Sequence, residues 1–415
     1  MIGCMADVSA PTRLLTFEEA RHTVEREAAA ARPGRLEFVP LPEALGRVLA
    51  KPVTADRDYP PFRRAMRDGY ALRAADLAEL PAVLEVVGEI KAGADPKDVV
   101  KRLAKGQAAA IMTGAPAPEG GDAVVMVEYT SLDGDRVRVT RAVQEGDNIV
   151  PVGSEAHARD VLLEPGSRMD FSALAVAASV GQENVWVYRR PVVGILATGD
   201  EIVEVDVRPG PHQIRNSNSY SLAAQVQEAG GEPRMLGIAR DDSDHLQELI
   251  AEGLETDLLL LTGGVSMGKY DLVEPVLGEF GAEFLFTGAQ IQPGKPIVFG
   301  RAKTKPFFGL PGNPVSTMVT FALFVRPMLE ALAGQKALPL QFLHARLKSE
   351  IKTKTGLTRF LPGMLSGEFE RAEVDLARWH GSGDVASTAK ANCYVVVPPD
   401  RDRIAVGEWV AVMRK

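Results

Sequence analysis

The sequence predicts a multidomain chain of the α/β-plus-β class. It combines a doubly wound three-layer α/β/α domain, a small inserted β domain and a C-terminal β-barrel-like domain. Three observations predict this. The chain has 415 residues, more than one typical core holds, so roughly two to four domains are expected. Residues 192–333 alternate apolar strand-like runs with helix-length segments, the pattern of a parallel sheet with crossover helices. The flanking stretches break into short runs separated by turn signals, the texture of all-β units.

Taken in order, Thr16-Phe17-Glu18-Glu19 has capping-box form and predicts a helix through about residue 31. Residues 36–39 read as a short strand, and 42–49 as a brief helix with proline in its first turn. Tyr59-Pro60-Pro61-Phe62 is stiff and extended, because a residue before proline is pushed out of the helical region. Asp68-Gly69-Tyr70 has turn chemistry leading into a strand. Further strands are expected at 83–90, 108–112, 123–129 and 136–142, with Asp133-Gly134 as a hairpin signal. A helix at 171–180 and a strand at 184–188 follow.

Pro191 opens the alternating region: strand 192–196, helix 219–229, strand 234–239, and a helix through 253 capped by Ser243. Strand 258–261, helix 271–280, strand 307–310 and a helix to about 333 complete it. Strands return at 347–351, 358–361, 373–376, 393–397 and 409–413. The expected domains are 11–55 with 147–188, then 56–146, 189–336 and 337–415.

A net charge of −8 and a pI near 5.5 argue against a nucleic-acid-binding surface. Two cysteines, Cys4 and Cys393, are too few for a disulfide framework or zinc ribbon, and the six histidines lack zinc-ligand spacing. The N-terminus has no basic start followed by an apolar core, so no signal peptide is expected. No apolar run approaches a membrane span, and the cytoplasm is the expected compartment.

The chain is organised around residues 257–271, DLLLLTGGVSMGKYD. Four leucines read as a strand buried on both faces. Thr262, Gly263 and Gly264 then allow close backbone approach, and Ser266, Lys269 and Asp271 follow. Open α/β sheets place ligands at such strand ends, and helix N-termini there favour anions.

Other strand ends add Asp200 and Glu201, Asp241 and Asp242, Lys295 on the loop 292–296, and Pro311, Gly312, Asn313, Pro314 and Ser316. On one sheet edge these acids would repel phosphates unless a hard cation intervened. Mg²⁺ suits that place, held by one or two carboxylates and phosphate oxygens. The inference from the residues is a Mg²⁺-assisted site for a phosphorylated ligand. No Walker A and no Gly-x-Gly-x-x-Gly at a first strand is present, which counts against ATPase and dehydrogenase readings. Gly264-Val265-Ser266-Met267-Gly268 fits the nucleophile-elbow pattern, but it does not stand directly between strand and helix.

On these residues the chain resembles the molybdopterin molybdenumtransferases, the MoeA-type family that includes the gephyrin E domain. The shared patterns are Asp68-Gly69-Tyr70-Ala71, Met112-Thr113-Gly114-Ala115, Thr198-Gly199-Asp200-Glu201 and Arg240-Asp241-Asp242. Residues 262–268 with Asp271, Pro293-Gly294-Lys295-Pro296, residues 309–316, and Gly381-Ser382-Gly383 with Ser387 and Asn392 continue the match. Order and spacing agree over about residues 11–415.

The resemblance implies a molybdopterin-binding α/β domain that inserts molybdate into adenylylated molybdopterin and releases AMP with Mg²⁺. It implies an elongated homodimer whose site lies between one chain's α/β domain and the other's β domain with the Asp-Gly-Tyr-Ala segment. Asp68, Glu201, Asp241, Asp271 and Lys295 would carry the chemistry, and Glu201, Asp241, Asp242 and Asp271 would hold the metal. Substrate contacts would come from Thr113, Asp200, Thr262, Gly263, Gly264, Ser266 and Lys269, from the 311–316 turn, and from Arg359, Ser382 and Ser387. Molybdoenzymes or an adenylyltransferase would be further partners, with no nucleic acid and no membrane.

The chain departs from the family pattern at Gln292 and Gly288, where basic residues are usual, at Val150-Pro151-Val152, at Glu155 and at Arg67. Anion attraction would then fall to Arg359, Lys269 or the partner subunit. Two other readings stay open: molybdopterin adenylylation or nucleotide hydrolysis on the same α/β domain, and a scaffold role with a decayed site.

Overall fold

The computed structural model describes residues 14–240, 242–264, 272–336, 338–368 and 371–415. Helix α1 (Phe17–Ala30) starts at the expected capping box: Glu19 N–H donates to Thr16 Oγ1 (3.2 Å), and Thr16 N–H donates to the Glu19 carboxylate (2.9 Å). Its buried stripe of Phe17, Ala20, Val24 and Ala28 packs on the α/β domain. Phe17 lies edge-on to Phe324 at 6.1 Å and to Phe360 at 5.2 Å. Strand Leu36–Pro40 pairs antiparallel with Asn184–Tyr188, bringing together segments far apart in the chain. In place of a helix at 42–49 there is a single 3₁₀ turn at Leu41–Ala44.

The inserted β unit holds β1 (Gly69–Leu72), β2 (Ala82–Ile90), β3 (Gln107–Ile111), β4 (Ala123–Met126), β5 (Thr130–Asp133) and β6 (Arg136–Val139). They form one sheet in the order β4-β1-β3-β2-β6-β5. The run expected as one strand at 123–129 is broken by a 3₁₀ turn at Val127–Tyr129, which sends β4 and β5 to opposite edges. Asp133 and Arg136 face each other across the Gly134-Asp135 turn, as the hairpin signal requires. Helix α2 (Phe171–Ser179) follows, capped by Asp170.

The α/β domain contains β7 (Val192–Thr198), β8 (Glu232–Ala239), β9 (Leu258–Thr262), β10 (Glu283–Phe286), β11 (Val298–Ala302) and β12 (Lys305–Leu310). The sheet order is β8-β7-β9-β12-β11-β10. Leu258 and Leu260 enter the core under α3 (Ser217–Glu228) and the long helix. Leu259 and Leu261 enter the core under α4 (Ser243–Gly253) and α5 (Val273–Glu279). Both faces of β9 are therefore covered, which is why it carries no polar alternation. Leu260→Ala is expected to cost about 3–5 kcal/mol, read by chemical denaturation, because a fully buried side chain leaves a cavity between layers.

Two features depart from the expected parallel sheet and helix. First, β11 runs antiparallel between β12 and β10. The hairpin joining it to β12 turns on Lys303 and Thr304, both at positive φ (47° and 68°). Neither is the Gly or Asn that would signal such a turn in sequence. Second, the closing helix is α6 (Pro314–Thr320), a π turn (Phe321–Val325) and α7 (Arg326–Leu332) in succession. As one 19-residue segment of mean hydropathy 1.4 it is long and apolar enough to cross a membrane, where no such run was expected. Its Leu323, Phe324, Val325 and Leu329 are fully buried in the core, so the apolarity is that of a central helix.

The last unit contains β13 (Leu343–Leu347), β14 (Thr358–Ser366), β15 (Glu373–Leu376), β16 (Cys393–Val397) and β17 (Trp409–Arg414). The order β14-β15-β13-β17-β16 closes through β14–β16 pairing into a five-strand barrel. Ile291–Gln292 runs parallel to the start of β14, tying the loop before Lys295 to the barrel. Helix α8 (Val385–Lys390), capped by Asp384, was not expected.

Candidate active site

In-register pairing fixes the site's position. Ala197 pairs with Thr262, and Thr262 with Leu310, so β7, β9 and β12 end together. Around those ends lies a cavity of about 380 Å³ lined by Thr198, Glu201, Thr262, Gly263, Gly264 and the 311–314 turn, with Ile214–Asn218 on the other side. This is the carboxyl edge of the sheet, where open α/β folds bind ligands.

The glycines are there for close approach. Gly263 sits at φ +93°, and a Cβ on it would stand 2.3 Å from the Thr198 carbonyl oxygen. Gly199, at φ +132°, lies under the Glu201 carboxylate: a Cβ there would come within 2.4 Å of Glu201 Oε2. The backbone so shaped presents Glu201 into the cavity mouth.

Two helix N-termini close the cavity. Asn216 caps α3, its Oδ1 accepting from Ser219 N–H at 3.2 Å. Pro314 stands in the first turn of α6, where its missing N–H costs nothing. The partial positive ends of both helices suit an anion. Asn218 joins the two walls: its Nδ2 donates to Thr262 Oγ1 (2.9 Å) and to the Gly312 carbonyl (2.8 Å). Neither Asn218 nor Arg215, which also lines the cavity, was singled out in the sequence. The signal was the run Arg215-Asn216-Ser217-Asn218 ahead of a helix, with asparagine a preferred cap.

The other expected residues fall as follows. Asp200 is exposed next to Glu201, and its carbonyl accepts from Arg240 Nη1 at 3.3 Å. Asp242 is the N-cap of α4, its Oδ1 accepting from His245 N–H at 2.9 Å, so the cap is one residue earlier than Ser243. Lys295 is exposed beside the cavity-lining Pro296. Ser316 is buried in the first turn of α6. The Ser382 carbonyl accepts from Val315 N–H at 3.0 Å, docking the 381–384 loop onto that helix start. Ser387 Oγ donates to Asp384 Oδ2 at 2.7 Å within the α8 cap.

Arg359 is buried and does not line the cavity. Its Nε donates to Gln292 Oε1 (2.9 Å) and its Nη1 to the Leu357 carbonyl (3.1 Å). Gln292, one of the departures from the family pattern, thus has a neutral acceptor where a lysine would face this guanidinium. Asp241, Ser266, Lys269 and Asp271 lie outside the described residues. Among the described residues no group of three or more His, Cys, Asp or Glu is placed to hold a metal.

Asp68 and Thr113 meet each other in the inserted β unit, away from the residues lining the cavity. Asp68 Oδ1 accepts from Thr113 N–H (2.6 Å) and Oγ1–H (2.8 Å). The Thr113 amide first, then its hydroxyl, hold the carboxyl below its ordinary value. A depressed carboxyl stabilises the fold above the unfolded pKa of about 3.9 and ceases to as pH falls through the folded value. Thr113→Val keeps the amide and loses the hydroxyl. An upward shift of the Asp68 titration is expected by NMR of the side-chain carboxyl.

Three family models match the chain: "MoeA N-terminal region (domain I and II)" over residues 15–181, "Probable molybdopterin binding domain" over 194–331 and "MoeA C-terminal region (domain IV)" over 344–414. The chain is 37% identical over 394 residues to a molybdopterin molybdenumtransferase of a Nostoc species, covering 91% of this chain and 88% of that one. It is 35% identical over 402 residues to the Bacillus subtilis molybdopterin molybdenumtransferase, covering 94% and 92%. Among solved structures, the molybdopterin biosynthesis moeA protein of Pyrococcus horikoshii OT3 superposes with a TM-score of 0.79 at 30% identity, covering 97% of this chain and 100% of that chain.

Proposed function

The chain belongs to the molybdopterin molybdenumtransferase family of transferases in molybdenum cofactor biosynthesis, and from that premise we propose that it inserts molybdate into adenylylated molybdopterin and releases AMP. The observation that carries this reading is the convergence of Glu201, the Gly263-Gly264 turn and two helix N-termini on one cavity. Backbone N–H groups at those helix starts would receive the pterin's terminal phosphate, and Asn218 would keep the walls at fixed separation. Opening a phosphoanhydride requires cations or donors that neutralise the negative charge on its oxygens.

Glu201 is an exposed hard-oxygen donor at the cavity, which fits Mg²⁺ binding shared with substrate phosphates. Asp241 and Asp271 are proposed as further ligands. When bound, the metal would supply charge neutralisation at the leaving phosphate. Lys295 at the rim would add a positive charge to the same end.

We further place the protein in the cytoplasm as a homodimer, in which the partner brings its own Asp68–Thr113 pair to this cavity. Support for a dimer comes from the ribbon of Leu36–Pro40 with Asn184–Tyr188, which exposes Leu36, Phe38 and Trp186. Incubation with adenylylated molybdopterin, molybdate and Mg²⁺ tests the activity. Molybdate-dependent AMP and active cofactor are expected, and EDTA should suppress both. AMP release indifferent to molybdate would favour nucleotide hydrolysis instead.

A further inference from the structure

A second cavity, of about 500 Å³, lies away from the strand ends, between α3, the long helix and the C-terminal barrel. Its size falls within the range of small-molecule sites, about 300–1,000 Å³, and domain junctions are where such sites concentrate. Its walls are apolar: Ala224 from α3, Met318, Phe321 and Ala322 from the long helix, and Tyr394 from β16.

Tyr394 is 2% exposed and supplies an aromatic wall. One buried polar atom there lacks a partner. Gln225 donates its Nε2 to the Met318 carbonyl at 3.2 Å, while its Oε1 is buried with no donor. A buried polar group left unpaired is costly, so Gln225 Oε1 marks a place where a bound molecule would complete the wall.

The charges have one sign in excess. Arg326, Arg414 and Lys415 line the cleft against Glu228. Arg326 shares its Nε with Glu330 (2.8 Å), and Lys415 Nζ reaches the Thr388 carbonyl (2.8 Å). The Arg414 guanidinium has no partner among the described residues.

We propose that this interdomain cleft is a binding site, separate from the strand-end cavity, for a small organic anion that carries an apolar or aromatic body and at least one N–H or O–H donor. The anionic group pairs with Arg414. The body packs on Phe321, Met318 and Tyr394. The donor meets Gln225 Oε1. Such a molecule touches both domains and clamps the barrel to the α/β layer.

The probe is 8-anilinonaphthalene-1-sulfonate, which has a sulfonate, an aromatic body and an anilino N–H. Fluorescence titration of the full chain should saturate at one probe per chain and raise the thermal midpoint. Arg414→Gln removes the anion partner and should weaken binding at least about tenfold. Ala224→Trp fills the cleft from an exposed helix position and should abolish it. Ala389→Trp repeats that test from α8, in case the first variant folds poorly. Glu201→Gln, in the other cavity, should leave the titration unchanged. Non-saturating fluorescence, or undiminished binding in folded Arg414→Gln and either tryptophan variant, would overturn the proposal.

Discussion

Glu201→Gln is expected to lower molybdate-dependent AMP release by at least about 100-fold while leaving the unfolding midpoint unchanged. The two halves of that result have separate causes. The side chain is exposed at the cavity and packs nothing in the core, so the amide is tolerated by the fold. What is lost is a formal negative charge at the only described strand end that delivers a carboxylate to the cavity. An amide is a weaker ligand for a hard cation and carries no counter-charge. Partial rescue by raised Mg²⁺ would place the defect in metal affinity. Turnover at the wild-type rate would remove Glu201 from the chemistry and with it the central support for the site.

Gly263→Val should be the more damaging substitution for the fold. A β-branched residue at φ +93° costs about 1–3 kcal/mol in backbone strain alone. The added Cβ would also meet the Thr198 carbonyl oxygen at 2.3 Å, an atom fixed at the end of β7. Since β7 and β9 are adjacent central strands, neither yields without disturbing the other. A loss of about 3–5 kcal/mol is expected in urea denaturation, together with loss of AMP release. A stable, active variant would mean that the 263–264 turn has another conformation available to it. Leu260→Ala, three residues earlier, should lower stability by a similar amount yet leave the residual folded enzyme active. Comparing the two separates packing from site geometry.

Much of this architecture is written locally, and that part could be read from the chain. The capping box at Thr16 depends on residues three apart. The leucine run at 258–261 reports burial on both faces, whatever lies opposite. The glycines at 263 and 264 announce close approach without saying to what. Features that depend on distant partners could not be read. Asn218 matters because Thr262 and Gly312 happen to flank it in space. The Gln292–Arg359 pairing exists because a two-residue strand joins the barrel. The antiparallel β11 was hidden by a turn made from Lys303 and Thr304, and α8 by its short length. Asp242, expected as a metal ligand, also caps α4, a role its sequence position did not single out.

Phe17, at the start of α1, touches Phe324 of the α/β domain and Phe360 of the barrel, and Tyr394 and Met413 belong to the same cluster. Those two parts of the molecule therefore share one continuous interior. The inserted sheet keeps apolar clusters of its own and is spared that bond. Leu49, Met169 and Val187 belong to another separate cluster, so the shared interior stops short of their unit as well.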